Sequence, residues 1–199
     1  MRTHLFALLG MSAAYTCAQQ PQISLPRPAL GPGPFVFATA EQPKVRVTVI
    51  ARGIPHPWSL AFLPNGDMLI TERSGRLRIL HDGVLDPKPL AGIPKVNANR
   101  NAGLFDIALH PKFAENKLVY FTYSKPADNG QQRTTLARGR LDTAGLTEVK
   151  DLFSGEPTTV LDGSRIVFDR TGLIFMTTGA ATGTSAQDPN SDYRKVLRR

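Results

Sequence analysis

Hydrophobic and polar residues alternate in short runs along most of this 199-residue chain. The first run, V-R-V-T-V-I at 45–50, has the two-residue period that is typical of a half-buried β-strand. Later runs with strand character lie at 67–72, 76–80, 118–123, 135–141, 173–178 and 195–198. A long helical period occurs nowhere in the sequence. The pattern therefore predicts an all-β fold.

A hairpin pattern occurs three times along the chain. Each copy is a short strand, a turn and a second strand that carries threonine near its end, and the copies start at Ser59, Asp106 and Arg165. Repeats of about 50 residues are typical of β-propellers, in which four strands form one blade. A β-sandwich with similar hairpins is the alternative, and we predict the propeller. Two of the turns hold residues that tolerate positive φ, Asn65-Gly66 and Thr171-Gly172.

The number of strands limits how much of a propeller this chain can form. Four strands per blade over 44–199 give roughly three to four blades, whereas closed propellers have about four to eight. The chain also stops at Arg199 within a strand-like run. We therefore expect a truncated chain or a fragment of a longer protein.

The first 18 residues have the composition of a secretory signal peptide. A basic start with Arg2 and His4 precedes an apolar stretch, and small residues lead to Ala18. The apolar stretch is about half as long as a membrane-spanning helix, although a membrane anchor or a buried strand is an alternative. Cys17, the only cysteine, would be removed when the signal peptide is cleaved. We expect a periplasmic or secreted protein without a membrane span.

Proline and glycine dominate the segment that follows the signal. Proline lacks a backbone N–H, so it interrupts both helices and strand ladders. We expect residues 19–43 to form a Pro-rich tether and residues 44–199 to form the partial propeller domain. The prolines of the tether are Pro21, Pro26, Pro28, Pro32, Pro34 and Pro43.

The formal net charge of +8 raises the question of nucleic-acid binding. The lysines and arginines are scattered, and they form neither a basic stripe nor a pattern with interleaved aromatic residues. We therefore expect no nucleic-acid partner. A basic surface that favours a polyanionic small molecule stays open.

Four segments in order resemble the glucose/sorbosone dehydrogenase family. They are P-W-S-L-A-F-L-P-N-G-D-M-L-I-T-E-R-S-G-R-L-R-I-L at 57–80, A-G-L-F-D-I-A-L-H-P-K-F-A at 102–114, G-S-R-I-V-F-D-R-T-G-L-I-F-M-T-T-G at 163–179 and K-V-L-R at 195–198. Members of that family are exported six-bladed propellers that oxidise sugars with pyrroloquinoline quinone (PQQ) and calcium. The resemblance implies that this chain covers about the first half of such a propeller.

The resemblance also implies site residues. The family's general base is a histidine that takes the proton of the sugar hydroxyl, and alignment puts Leu161 in its slot. Asp162, beside it, is a weak replacement because an aspartate is a poor base near neutral pH. Asn101 and Gln187 match polar family positions and are the candidate cofactor contacts, Gln187 only if a gap is allowed. No metal ligand is implied here, and the main residues for PQQ and calcium would lie beyond Arg199.

These observations leave the activity open. The family resemblance implies a PQQ-dependent aldose dehydrogenase with a small-molecule sugar as substrate and an external electron acceptor of unknown identity. The missing base and the short propeller imply a truncated or catalytically impaired form. The alternatives are a non-catalytic carbohydrate-binding or scaffold propeller, which Leu161 favours, and a calcium-dependent lactonase-like propeller.

Overall fold

The structure is a computed structural model that describes residues 31, 33–161, 163–179 and 183–198. The chain divides into two compact units, Met1–Thr48 and Val49–Arg199. The predicted signal peptide, 1–18, and most of the predicted tether lie outside the described residues. Among the described residues, no helix has both the length and the apolar character needed to span a bilayer.

The first unit contains a short antiparallel strand pair. Strand β1 (Phe35–Phe37) pairs with β2 (Val45–Val47), with Phe35 opposite Val47. The expectation of a tether without strands is therefore wrong for Phe35–Phe37. Its aromatic and β-branched residues favour a strand, and Pro34 and Pro43 lie outside the ladder rather than within it. The domain boundaries predicted at residues 18 and 43 stay predictions.

The second unit contains three antiparallel sheets whose described strands follow one another in chain order. Sheet 1 comprises β3 (Pro57–Phe62), β4 (Met68–Glu72), β5 (Arg76–His81) and β6 (Val84–Leu85). Sheet 2 comprises β7 (Leu104–Leu109), β8 (Leu118–Pro126), β9 (Gln132–Leu141) and β10 (Leu146–Ser154). Sheet 3 comprises β11 (Ile166–Phe168), β12 (Ile174–Thr177) and β13 (Val196–Arg198). One helical turn, α1 (Phe113–Asn116), and two 3₁₀ turns, Asp128–Gly130 and Gly183–Ala186, complete this part of the chain.

The three sheets stack in a row with sheet 2 in the middle. Leu69, Leu77 and Ile79 of sheet 1 pack against Leu104 and Phe121 of sheet 2. The opposite face of sheet 2 packs against sheet 3 in a second core around Leu136, Ile166, Ile174 and Met176. Each sheet therefore behaves as one blade that buries an apolar face against its neighbour.

Threonine has the same role in all three hairpins. Its hydroxyl oxygen accepts a backbone hydrogen bond from the innermost strand, and in sheets 1 and 2 the strand register shifts at this place. A β-bulge leaves one backbone group without a ladder partner, and the hydroxyl supplies the missing acceptor. The three pairs are Ser59–Thr71, Asp106–Thr122 and Arg165–Thr177, with N···O distances of 3.0, 3.2 and 2.9 Å.

Candidate functional site

The innermost strands of the three sheets meet at the carboxylate of Asp106. This residue is 5% exposed and lies on β7 of sheet 2. Ser59 of sheet 1 donates its hydroxyl to Oδ1, and the Arg165 guanidinium donates to the same oxygen at 3.2 Å. The backbone N–H of Ile166 donates to Oδ2 at 2.7 Å. One side chain of the middle sheet therefore holds both of its neighbours.

An aromatic contact lies one residue earlier on the same strands. The ring of Trp58 in sheet 1 lies 5.2 Å from the ring of Phe105 in sheet 2. Gly163, which precedes sheet 3, sits against the same indole, and a Cβ there would lie 2.7 Å from Cζ2 of Trp58. The glycine of the G-S-R-I-V-F segment is therefore required by the close approach of a ring, as well as by its φ of +92°.

Beside this junction lies a polar cavity of about 260 Å³. Three chain segments form it: the loop before β7, the start of β9 and the loop before β11. We call it the amide cavity because side-chain amides dominate its wall. The wall residues that matter below are Asn97, Asn99, Arg100, Asn101, Gln132 and Leu161.

The amide cavity brings together two of the candidate residues implied by the family resemblance. Asn101 is exposed in the turn before β7, whereas Leu161 is 2% exposed and packs with Ala102 and Tyr193. Both nevertheless line the same cavity, although they lie in loops that precede different sheets. Asp162 lies outside the described residues. Gln187 is exposed after the second 3₁₀ turn, and it does not line this cavity.

Hydrogen bonds within the wall fix its shape. The backbone N–H of Asn97 donates to the carbonyl of Ser124 at 2.9 Å, and the Asn97 side chain accepts the N–H of Asn99 at 3.1 Å. The Ser124 hydroxyl donates to Oε1 of Gln132 at 2.7 Å. Gln132 is 3% exposed, and its orientation is set by this bond. Because Oε1 accepts this bond, the donor that Gln132 brings to the cavity wall is its Nε2.

The loop behind Leu161 is held by two further contacts. The Tyr193 hydroxyl donates to the carbonyl of Pro157 at 2.8 Å, and burial together with the negative charge of Glu156 raises the pKa of that phenol. The Lys195 ammonium donates to the carbonyls of Ser185, Ala186 and Tyr193 at 2.9 to 3.1 Å. An ammonium group has three N–H donors, and these three hydrogen bonds use all of them. Lys195 therefore stabilises its own loop and does not point toward a ligand.

The wall chemistry suits a neutral hydroxylated ligand. Amides both donate and accept hydrogen bonds, as sugar hydroxyls do, and Arg100 is the one charged residue among the described residues that line the cavity. The described wall holds neither a carboxylate nor an imidazole that could take a proton. Nor do the described residues contain a group of three or more histidine, cysteine or acidic side chains that could hold a metal ion.

Sequence reasoning missed three of the amide residues that line this wall, Asn97, Asn99 and Gln132. Asn97 and Asn99 belong to the run N-A-N-R-N at 97–101, whose alternating asparagines were a usable signal because they place amides at regular intervals in one loop. Gln132 gave no such signal. Its burial depends on the start of β9 and on Ser124, and neither can be read from the local residues Q-Q-R.

Comparison with known proteins connects this geometry to one family. The family model described as glucose/sorbosone dehydrogenase matches residues 54–198. The aldose sugar dehydrogenase of Escherichia coli is 37% identical over 161 residues, which are 77% of this chain and 43% of that protein. A crystal structure of a glucose dehydrogenase matches with a TM-score of 0.70 and 35% identity, over 75% of this chain and 45% of that one.

A third match carries the name of a cofactor. The PQQ-bound form of an aldose sugar dehydrogenase from Streptomyces coelicolor matches with a TM-score of 0.67 and 28% identity, over 75% of this chain and 46% of that one. These matches confirm the predicted propeller fold. This chain spans less than half the length of each of these relatives.

Proposed function

Since this chain belongs to the glucose/sorbosone dehydrogenase family, we propose that its amide cavity binds an aldose and that the chain cannot abstract the sugar proton there. In this proposal it is the sugar-binding part of a PQQ-type aldose dehydrogenase propeller in a catalytically impaired form. The observation that carries the proposal is the position of Leu161, buried in the wall beside Asn101.

The case for a sugar rests on the amides. A monosaccharide presents several hydroxyl groups, each a donor and an acceptor, and the Asn97, Asn99, Asn101 and Gln132 side chains offer both functions in a confined space. Gln132 is 3% exposed, and an acceptor that a ligand offers to a buried amide contributes more than one offered to a solvated amide. The cavity volume of about 260 Å³ also favours a small ligand.

The case against proton abstraction rests on Leu161. A positioned general base contributes about 10² to 10⁴-fold to the rate of such reactions, and a leucine side chain cannot accept a proton. The described wall offers no replacement, because its other side chains are amides, one hydroxyl, one guanidinium and apolar groups. Asp162 as a substitute base stays a prediction.

The described residues do not fit PQQ by themselves. The quinone carries three carboxylates, whereas the described part of the cavity wall contributes the single guanidinium of Arg100. Calcium lacks a set of carboxylate ligands among the described residues. No chemical step is therefore assigned to the quinone or to calcium in this cavity, and the expectation that their main contacts lie beyond Arg199 stays a prediction.

A second function is favoured by the same leucine. A carbohydrate-binding or scaffold propeller would keep the amide wall and would have no use for a base. A binding propeller and an impaired dehydrogenase differ in one respect. A restored base should increase the rate of sugar oxidation in the dehydrogenase and should have no effect in the binding propeller. An export step, with a periplasmic or secreted location, belongs to both proposals and rests on residues 1–18.

Glucose and other aldoses should be titrated against the protein by calorimetry. We expect weak binding that Gln132→Leu reduces at least fivefold, while the matched Gln187→Leu outside the cavity leaves it unchanged. Equal affinity in the Gln132 and Gln187 variants would contradict the proposed cavity.

With PQQ, calcium and a dye acceptor, the natural chain should reduce the dye no faster than a heat-inactivated sample. In protein that a fluorescence titration shows to bind PQQ, Leu161→His should raise this rate if the chain is an impaired dehydrogenase and leave it at the background if it is a binding propeller. Robust PQQ-dependent turnover by the natural chain would overturn the assignment of Leu161 to the base slot.

A further inference from the structure

The chain contains two Asn-Gly dipeptides, Asn65-Gly66 and Asn129-Gly130, and each lies in a turn between two paired strands of one sheet. Asparagine before glycine suits such turns because both residues tolerate positive φ. The same dipeptide can also react within itself, because glycine has no Cβ to keep its main-chain nitrogen away from the asparagine side chain. The two asparagine side chains differ in how they are held.

The Asn65 side chain is held at the turn between β3 and β4. Its Nδ2 donates to the Asp67 carboxylate at 2.7 Å, and its Oδ1 accepts the backbone N–H of Asp67 at 3.3 Å. Asp67 is itself buried, and its carboxylate also lies 2.7 Å from Nδ1 of His81. The Asn65 amide is therefore engaged at both its oxygen and its nitrogen, and its rotation is restricted.

The Asn129 side chain lies in a more open place. Asn129 and Gly130 are both exposed, in the 3₁₀ turn Asp128–Gly130 between β8 and β9. Within the described part of the chain, the Asn129 amide has no hydrogen-bond partner. A Cβ built at Gly130 would meet nothing within 4 Å. The Asn129 amide is therefore free to rotate, and water has access to the turn.

We propose that Asn129 is a site of spontaneous isoaspartate formation and that Asn65 is protected from the same reaction. The main-chain nitrogen of Gly130 attacks the side-chain carbonyl carbon of Asn129, and the new C–N bond closes a cyclic imide. The bond from this carbon to Nδ2 breaks, and Nδ2 leaves as ammonia with the proton of the attacking nitrogen. Water then opens the ring at either carbonyl and gives isoaspartate or aspartate. The reaction consumes water, releases ammonia and changes no oxidation state.

The product would alter the turn that precedes Gln132. Gly130 and Gln132 both line the amide cavity. Isoaspartate directs the main chain through the former side chain, which lengthens the turn closed by the 2.9 Å hydrogen bond from the Ala127 N–H to the Gln131 carbonyl. It also places a carboxylate where Asn129 had a neutral amide. We therefore expect the modified chain to bind an aldose more weakly, a consequence that rests on the proposed function, whereas the modification does not.

Peptide mapping of aged protein tests the modification. The folded chain is incubated in mildly alkaline buffer, because loss of the glycine N–H proton promotes the attack. Electron-based fragmentation in the mass spectrometer then distinguishes isoaspartate from aspartate at each site. We expect at least about tenfold more isoaspartate at Asn129 than at Asn65, because a held side chain is kept from the reactive geometry. Equal amounts at the two sites, or none at Asn129, would overturn the proposal.

The unfolded chain and two variants test the cause of the difference. In guanidinium chloride the two sites should react at similar rates, since both are Asn-Gly. Asp67→Ala removes the acceptor of the Asn65 amide and should raise isoaspartate at Asn65 toward the level at Asn129. Asn129→Gly keeps a residue that tolerates the φ of +55° and should abolish the modification in this turn. Circular dichroism checks that both variants fold. A folded Asp67→Ala protein in which Asn65 stays unmodified would contradict the protective role of this hydrogen bond.

Calorimetry with an aldose separates the modification from the proposed function. Each protein is compared with its own fresh sample. The aged natural chain should lose binding in proportion to its isoaspartate at Asn129, whereas aged Asn129→Gly should lose none. Equal losses in the two proteins would overturn the link between this turn and the cavity. Fresh protein that binds no aldose would contradict the proposed function, and the peptide map would then decide the modification by itself.

Discussion

The backbone N–H of Ile166 donates a 2.7 Å hydrogen bond to the Asp106 carboxylate, so the first residue of β11 is held by a side chain of the neighbouring sheet. The same carboxylate accepts from Ser59 and Arg165. Each blade of this fold packs mainly through apolar contacts, which are not directional. The buried Asp106 carboxylate accepts hydrogen bonds from both neighbouring sheets, and hydrogen bonds are directional. It therefore fixes the position of each innermost strand relative to the next.

Replacement of Asp106 should therefore loosen all three sheets. We expect Asp106→Ala to lower the free energy of unfolding by about 3 kcal/mol, because hydrogen bonds to a charged group contribute about 1.5 to 3 kcal/mol and the donors are left unsatisfied. Urea unfolding measures this change. The control Ser59→Ala removes one of the donors and should cost about 1.5 kcal/mol, which is half of the loss expected for Asp106→Ala. Equal losses in the two variants would contradict the central role of Asp106.

The glycine that touches the indole gives a second prediction. Gly163→Ala should destabilise the protein by about 2 kcal/mol more than Gly130→Ala, which is the size of effect seen for overpacked cores. Both glycines have positive φ, +92° and +71°, so the backbone strain is comparable. At Gly163 the new methyl group would contact the ring of Trp58, whereas at Gly130 it would meet nothing within 4 Å. Thermal unfolding of the two variants measures the difference. Equal midpoints would contradict the close contact between residue 163 and Trp58.

Much of this fold could be predicted from the sequence, because the innermost and middle strands are buried and alternate strongly. The three hairpins, their turns at Gly66 and Gly172 and the closing threonines all appear in the structure. Strand β10 was missed because it is an outer strand with mostly exposed residues, and β6 because two residues show no period. A strand that buries few side chains has no strong hydrophobic period in its sequence.

The site could be predicted only where a residue aligns with a known position of the family, next to a recognised segment. Asn101 and Leu161 followed from the family pattern, and both line the cavity. Gln132 could not be found in this way, because the orientation of its side chain depends on a hydrogen bond from Ser124 on the neighbouring strand. Long-range burial of a polar group is a property of the folded chain and has no local signature.

Thr71 allows a test of the bulge contact. Its hydroxyl accepts the N–H of Ser59 at 3.0 Å and donates to the carbonyl of Phe105 at 2.7 Å, and the residue is fully buried. Thr71→Val keeps the shape but leaves both groups without a partner, so we expect a loss of about 2 to 3 kcal/mol. Thr147→Val, at an exposed position, should change the free energy of unfolding by about 0.5 kcal/mol or less. Urea titrations with similar midpoints for both variants would refute this role.

The turn before β12 predicts a dependence on pH. The Thr171 hydroxyl and the backbone N–H groups of Thr171 and Leu173 donate to Asp169, and these bonds lower the pKa of that carboxyl below its usual value. A lowered folded-state pKa stabilises the protein above the unfolded-state pKa of about 3.9, and the contribution is lost as the pH falls through the folded value.

Asp169→Asn should therefore melt below the natural protein at neutral pH, and the two curves should converge in strong acid. Calorimetric scans from pH 7 down to about pH 2 measure the difference. The exposed Asp128→Asn serves as the control for a general change of charge. A difference that is constant over the whole range would show that charge on Asp169 is not involved.

Export makes a separate prediction from residues 1–18. The native protein recovered from its source should begin at Gln19, because the small residues before that position form the processing site. Edman sequencing of that material reads the first residue directly. A sequence that starts at Met1 would refute both the signal and the proposed location.

The contact between Trp58 and Gly163 has one more consequence, which is optical. Trp58 is the only tryptophan in the chain, and it touches sheet 2 through Phe105 and the approach to sheet 3 through Gly163. Trp58 also lines an apolar groove, together with Leu60 and Phe62. With excitation at a wavelength that tyrosine does not absorb, the emission of the natural protein therefore comes from one tryptophan at the junction of all three sheets. Separation of any one of them would bring water to the indole and shift its emission to longer wavelengths.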